Sequence, residues 1–474
     1  MDGEEFVEDH RLAEPDRNRG IGQAPPTPPA GRRARTILGE PMGLIYLALT
    51  EAWERFSLYG MTSLLVLYMV EAVLMPGRSE HVVGLEALRL GLQSVTGPLT
   101  AQALSSWIFG WFMALTYFMP LVGGVVADRW LGPRLTVSIG ALLLCAGYVA
   151  MAFDASFLIA LGVIVTGCGF IKGNIAGQVG RLYSESAREA RSRGYALFQV
   201  AINLGAFVGP LVCGALAQVY GWHVGFAIAA ALMLVGFITY RAGLRHIPPE
   251  PERRRGRREA TLTRDDRRTI RILLVVLVLS VFEQVAYHQT FNVGLIWIRD
   301  HVQLQTAFGT IPTSWYVALD GLLYMLATPV LLAFWRWQAR GGGGGPSEMT
   351  KLALGAVIAA GAAGLFALAS LTDHGARVSV AWPIAANIGM TLATVYIWPT
   401  LLALFSRKAP APVNTVMIST VFLALFAANV IVGWMGASYG KMAPATFWAA
   451  DAGASLIGAV LLFALRGWLT RQLA

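Results

Sequence analysis

The stretch Leu44-Ile45-Tyr46-Leu47-Ala48-Leu49-Thr50-Glu51-Ala52-Trp53-Glu54-Arg55-Phe56-Ser57-Leu58-Tyr59-Gly60-Met61-Thr62-Ser63-Leu64-Leu65-Val66-Leu67-Tyr68 carries three charges inside a run that is otherwise almost wholly apolar. About 20 such residues cross a hydrocarbon core of about 30 Å as a helix, and the full run, 42–74, is long enough. Eleven more runs follow, near 104–127, 133–152, 156–181, 192–218, 222–242, 271–298, 312–339, 350–371, 380–406, 412–436 and 444–467. They are too long and too evenly apolar for barrel strands, and only helices satisfy this much backbone within lipid. The expected fold is an all-α membrane protein with twelve transmembrane helices.

Composition points the same way. Of 474 residues, 55% are hydrophobic and 14% charged, where a soluble domain carries about 25% charged residues. The mean hydropathy is +0.56, which excludes an ordinary soluble enzyme. A formal net charge of +9 raises the question of nucleic acid, but the basic residues stand in short clusters between apolar runs, with no aromatic-interleaved groove, so no nucleic-acid partner is expected. The clusters fall in alternate loops: Arg129 and Arg134, Arg181 to Arg193, the stretch 243–271, Arg336 to Arg340, Arg407-Lys408 and Arg471. By the positive-inside rule both termini are expected in the cytoplasm, and the expected bilayer is the plasma (inner) membrane. Cys145, Cys168 and Cys213 lie within apolar runs as small core residues. No metal set, no cofactor motif and no nucleophile with its base is visible.

The domain expectation is a disordered cytoplasmic tail over 1–41, without the features of a signal peptide, a six-helix bundle over 42–242, a basic cytoplasmic linker over 243–270 and a second six-helix bundle over 271–474. The linker contains Arg253-Arg254-Arg255 and Arg257-Arg258 after Pro248-Pro249. Two bundles joined on the cytoplasmic side suggest a transporter with a central site between related halves. Gly341 to Gly345 read as a flexible loop rather than a phosphate loop, since no Lys-Ser/Thr follows.

Charges at membrane depth are costly and mark cavities, ion paths or proton sites. Glu51, Glu54 and Arg55 stand at i, i+3 and i+4, on one helix face, with Tyr59 on a neighbouring arc. Two carboxylates share one arginine, so the group has room for a proton and titrates as a unit. Lys172 is nine residues before Arg181, about 13 Å deep at 1.5 Å per residue. Asn203 suits either an interhelical hydrogen bond or a cavity wall. Glu283 and Asp320 are lone acids without a basic neighbour at helical spacing, so a cationic ligand or a shared proton is their natural partner. His288 reads first as a hydrogen-bonded core histidine and second as a proton relay.

At this point the residues carry a family resemblance. Glu51-Ala52-Trp53-Glu54-Arg55-Phe56-Ser57-Leu58-Tyr59-Gly60 is similar to the ExxERFxYYG signature of the proton-dependent oligopeptide transporters. Gly123-Gly124-Val125-Val126-Ala127-Asp128-Arg129-Trp130-Leu131-Gly132 resembles their form of the major facilitator loop, and Gly169-Phe170-Ile171-Lys172-Gly173-Asn174 their GxxKPN stretch. Ala201-Ile202-Asn203-Leu204-Gly205, Phe282-Glu283-Gln284 and Pro346-Ser347-Glu348-Met349-Thr350-Lys351 follow in the family's order.

The resemblance implies a major facilitator fold and proton-coupled import of di- and tripeptides. It implies that Glu51, Glu54 and Arg55 couple protons with Lys172 as their partner. Tyr59, Tyr117, Lys172 and Asn203 would line the peptide site on its carboxylate side, and Glu283 would hold the amino terminus. Gly124, Asp128 and Arg129 would form the structural or gating loop. The implied partners are a small peptide, protons and the lipid bilayer, and a monomer suffices. Leu58, Thr62 and Gly173 depart from the family pattern, as does Val421-Phe422-Leu423. Thr394, five residues before Pro399, stands where a glutamate is usual, and Asp320, where asparagine is commoner, offers a replacement charge. The stretch 243–271 has no room for the two extra helices that many bacterial members carry. These departures keep open a second solute class, such as a modified peptide, an amino-acid conjugate or an organic anion. A membrane sensor or enzyme is the remote alternative.

Overall fold

The computed structural model describes residues 36–37, 39–184, 187–249, 262–307, 309–340, 346–373 and 375–473. The expected tail up to residue 35, the linker arginines from Arg253 to Arg258, and Gly341 to Gly345 lie outside the described residues.

Twelve helices among the described residues are long and apolar enough to cross a membrane. The first, α1 (Met42–Tyr68), continues through a π-helical turn, Met69–Val73. A short amphipathic helix, α2 (Leu85–Thr96), precedes α3 (Ala101–Val126). Then come α4 (Pro133–Ala150), α5 (Phe157–Arg181), α6 (Arg188–Tyr220) and α7 (Trp222–Gly243). The later helices are α8 (Arg264–Phe291), α9 (Val293–His301), α10 (Trp315–Arg340), α11 (Glu348–Thr372), α12 (Ala381–Lys408), α13 (Asn414–Gly436) and α14 (Pro444–Leu473).

Two boundaries differ from the sequence reading. The run 271–298 is not one helix: α8 starts earlier, where the Thr263 hydroxyl accepts from Asp266 N at 3.1 Å and the Asp266 carboxylate accepts from Thr263 N at 2.9 Å. This reciprocal cap satisfies two free backbone donors and lets a polar turn extend beyond the apolar run. At the other end Asn292, at φ −98° and ψ −93°, leaves helical geometry and separates α8 from α9.

The helices form two groups. In one, α1 packs on α6 and α7, α5 on α3 and α4, and α4 on α7; in the other, α11 packs on α12 and α14, α8 on α13 and α14, and α10 on α12. Contacts of α3 with α13 and of α6 with α10 join the groups. Backbones approach closely at the α1/α6 seam: a Cβ at Gly205 would come within 2.2 Å of Ala52 O, and one at Gly209 within 2.3 Å of Phe56 O. This stripe of small residues holds the charged turn of α1 directly against α6.

The end of the molecule away from the described termini is tied across the groups. Gln102 Nε2 donates to Gly436 O at 2.9 Å, Ser106 Oγ to Asn292 Oδ1 at 3.2 Å, Trp315 Nε1 to Leu211 O at 3.1 Å and Gln218 Nε2 to Thr310 O at 2.9 Å. Arg299, on α9, pairs with Glu71 at 3.1 Å. Burial pulls the Arg299 guanidinium down, but the Asp300 and Glu71 carboxylates outweigh it and hold its pKa above the ordinary value.

Candidate functional site

The charged turn of α1 is buried. Glu51 is 3% exposed, Glu54 0% and Arg55 8%. Arg55 Nε and Nη2 both donate to Glu51 Oε1, at 3.0 and 2.8 Å, and Nε lies 3.0 Å from Glu54 Oε2. Cys168 Sγ sits 3.8 Å from Glu54 Oε1. One guanidinium thus serves two carboxylates, and Glu51 Oε2 has no hydrogen bond among the described residues. Lys172, on α5, makes no ion pair among the described residues; its Nζ lies 5.1 Å from the centroid of the Tyr117 ring, a cation–π contact. A second basic side chain therefore stands near the cluster without an ion pair to it among the described residues.

Tyr117 also reaches across the molecule. Its hydroxyl lies 3.3 Å from His288 Nε2 on α8, while His288 Nδ1 lies 2.9 Å from Gln284 O. A carbonyl only accepts, so Nδ1 carries the hydrogen, and the Nε2 lone pair of the neutral ring accepts from the Tyr117 hydroxyl. This bond bridges the two groups at the wall of a small cavity between them. Tyr59 and Thr62 of α1, Phe109 and Tyr117 of α3, and Tyr287 and His288 of α8 line it.

In the second group Glu283 is 1% exposed. Its Oε2 accepts from Gln284 Nε2 at 2.7 Å, and Oε1 has no partner among the described residues. Asp320, on α10, stands behind the cavity wall rather than in its lining. Tyr287 donates to its Oδ2 at 2.7 Å and Thr391 of α12 to its Oδ1 at 3.0 Å. Thr394 turns back on its own helix, donating to Met390 O at 3.1 Å. A buried carboxylate with both oxygens hydrogen-bonded fixes the groups around it, so Asp320 sets the position of the Tyr287 hydroxyl.

A sequence profile of the Major Facilitator Superfamily matches residues 56–433, most of the chain. The chain belongs to that superfamily. This facilitator is 27% identical over 458 residues to a di-/tripeptide transporter of Lactococcus lactis subsp. cremoris, which covers 82% of this chain and 88% of the relative. A peptide transporter of Yersinia enterocolitica subsp. palearctica is 27% identical over 475 residues, or 85% of this chain and 88% of that one. Among solved structures, a peptide transporter POT in complex with sulfate superimposes with a TM-score of 0.82 at 24% identity, covering 93% and 97% of the two chains. A POT family transporter in complex with 5-aminolevulinic acid gives 0.79 at 21% identity, covering 92% and 98%. The facilitator shares their fold and is an integral membrane protein.

Of the facilitator's sequence candidates, Tyr59 and Tyr117 line the cavity; Glu51, Glu54, Arg55, Lys172, Asn203, Glu283, Asp320, Gly124, Asp128 and Arg129 lie outside its lining. Asn203 accepts through Oδ1 from Gln199 Nε2 of its own helix at 3.2 Å. Gly124 closes the last turns of α3, and Asp128 and Arg129 stand exposed on the π-helical turn Ala127–Leu131 that follows. Some polar residues escaped the sequence reading. Tyr287 was legible as Glu283 plus one helical turn, but its bond to Asp320 links residues 33 apart. Asp451, on α14, is 0% exposed, and neither carboxylate oxygen has a hydrogen-bond partner among the described residues. An acid two turns into the last apolar run was the signal that could have singled it out.

Proposed function

We propose that the facilitator is a proton-coupled symporter that imports di- and tripeptides by alternating access, with both termini in the cytoplasm of a bacterial cell. The observation that carries this reading is the shared Arg55: two buried carboxylates on one guanidinium, with Lys172 on α5 making no ion pair among the described residues. A proton on the Glu51/Glu54 pair leaves one negative charge matched to Arg55 and leaves Lys172 as a positive pole for a peptide carboxylate. Glu283 is the opposite pole, with one oxygen available for an amino terminus. Loss of the proton restores a second negative charge, which draws Lys172 toward the carboxylates and releases the peptide carboxylate. Tyr59 and Tyr117 supply hydroxyls to the peptide between the poles, and Asp320 acts through Tyr287. Asn203 and the Gly124, Asp128 and Arg129 loop act on the motion of the helices rather than on the peptide.

With the termini cytoplasmic, the hydrogen-bonded end is the outer one, which supports reading this arrangement as inward-facing. A proton crossing 100 mV contributes about 2.3 kcal/mol, plus about 1.36 kcal/mol per unit of pH difference. One proton per peptide then supports accumulation of roughly a few hundredfold at a gradient of 1 pH unit.

Thr62 on the cavity wall and Thr394 in place of an acid favour a second reading, in which the solute is a modified peptide or an amino-acid conjugate. Competition separates the two. Dialanine should displace a bound tripeptide from the purified protein, and Glu283→Gln should weaken free-amine dialanine about tenfold or more while leaving N-acetyl-dialanine within about twofold, the loss of one charge-assisted hydrogen bond. Equal losses would remove the amine role of Glu283; no displacement by any dipeptide would favour the other solutes.

A further inference from the structure

The junction of α8, α11 and α14 holds polar groups that the peptide site does not use. Along α14, Trp448, Asp451, Ser455 and Gly458 recur at i, i+3, i+7 and i+10 and form one stripe. That stripe faces α8 at one end and the first turn of α9 at the other. Ser455 Oγ donates to Phe282 O at 3.3 Å, a Cβ at Gly458 would meet Phe282 Cβ at 2.8 Å, and a Cβ at Gly294 would lie 3.7 Å from the Trp448 ring. Asp451 therefore lies opposite the turn of α8 that carries Gln289, which shares a face with Phe282 seven residues earlier. Gln289 is 0% exposed, and its amide oxygen and nitrogen both have no partner among the described residues. Trp448, stacked on Phe366 of α11 at 4.3 Å, has an unpartnered Nε1. Ala452, next to Asp451, packs on a cluster of alanines from α8, α11 and α12.

Among the described residues no counter-charge pairs with Asp451. On α11, the stretch 355–370 contains no titratable residue. On α8, Glu283 is held by Gln284, Tyr287 by Asp320, and His288 by Gln284 O and Tyr117. A carboxylate buried in this way without cation or hydrogen bond is too costly to remain charged, and the side chain is the neutral acid. Gln289 can serve both protonation states of the site. Its amide oxygen can accept from the Asp451 hydroxyl in the acid form, and its amide nitrogen, together with Trp448 Nε1, can donate to the carboxylate in the ionised form; none of these bonds is made among the described residues.

We infer that Asp451 is a second proton-carrying site of the transport cycle, separate from the Glu51/Glu54/Arg55 group. The inference rests on the proton-coupled reading above. An O–H bond forms when a carboxylate oxygen of Asp451 takes a proton from water on one side, and the same bond breaks when that proton passes to water on the other; nothing else is transferred.

The test is the coupling ratio in liposomes holding the purified full chain under a potassium diffusion potential of about 100 mV, with radiolabelled dialanine and no pH gradient. Asp451→Asn keeps the shape of the acid and removes its proton chemistry. The variant should retain dialanine counterflow, which reports an intact fold, while the driven accumulation falls by about fiftyfold, the loss of one charge per cycle at this potential. Counterflow with an unchanged accumulation ratio would overturn the assignment. Should Asn at 451 not fold, Gln289→Leu, which removes the partner of the ionised state, should give the same fall, and an unchanged ratio there would overturn it equally. A wild-type protein without potential-driven uptake would overturn the transport reading itself, and this inference with it.

Discussion

Asp320 is a buried acid whose hydrogen-bond partners are already fixed: Tyr287 on one oxygen and Thr391 on the other. Its position among the residues of the second half suggests a ligand pole, but the geometry makes it the anchor of a cavity hydroxyl. Asp320→Asn keeps an oxygen for Tyr287 and turns the other atom into a donor that the Thr391 hydroxyl accepts. Dialanine affinity should stay within about threefold in that variant and fall about tenfold or more in Asp320→Ala, where Tyr287 loses a charge-assisted bond. Equal, large losses in both would show that the negative charge itself meets the solute. The two acids of α1 and their arginine were legible in the sequence because i, i+3 and i+4 on one helix are neighbours wherever the helix lies. Tyr287, Asp320 and Thr391 come from three helices, and the bond from Tyr117 to His288 joins residues 171 apart. No helical spacing encodes such pairs, so the partner of each lone polar residue appears only with the fold.

At the scale of elements, the twelve apolar runs were legible because lipid demands length and hydropathy together, and both are read locally. What escaped was decided by solvent and caps. α2 is a short helix with Glu86 and Arg89 on it, too short and too polar for a span. The first turns of α8 are set by the Thr263 and Asp266 cap rather than by apolar residues. The seam between α1 and α6 was readable only as glycines in an apolar run. Its function is to let backbones touch, so that the α1 charges stay buried with one arginine. Gly209→Leu would force side-chain atoms into the Phe56 carbonyl, where a Cβ alone would already sit at 2.3 Å. Overpacking of this kind costs about 1–3 kcal/mol. The variant should melt several degrees lower in detergent and lose proton-driven uptake, because the helices part. An unchanged melting temperature would show that the seam yields without cost.

At the scale of the molecule, two helix groups meet along α3 with α13 and α6 with α10, and are tied at one end by backbone and side-chain hydrogen bonds and the Glu71–Arg299 pair. A Cβ at Gly110 would meet the Gly433 backbone at 2.5 Å, so α3 and α13 lie in direct contact there. The cavity at the middle takes walls from both groups, and the Tyr117–His288 bond spans it. A solute that displaces this bond alters the coupling between the halves at the place where it binds, which links occupancy to rocking. In the proposed cycle the α1 group is the site that couples a proton to binding and release of the solute. The most direct measurement is therefore uptake of radiolabelled dialanine into proteoliposomes under an imposed inward pH gradient, in wild type and in Glu54→Gln, with counterflow as the control. The account predicts concentrative uptake in wild type, abolished by a protonophore, and counterflow without concentrative uptake in Glu54→Gln. Undiminished gradient-driven uptake in Glu54→Gln would contradict it.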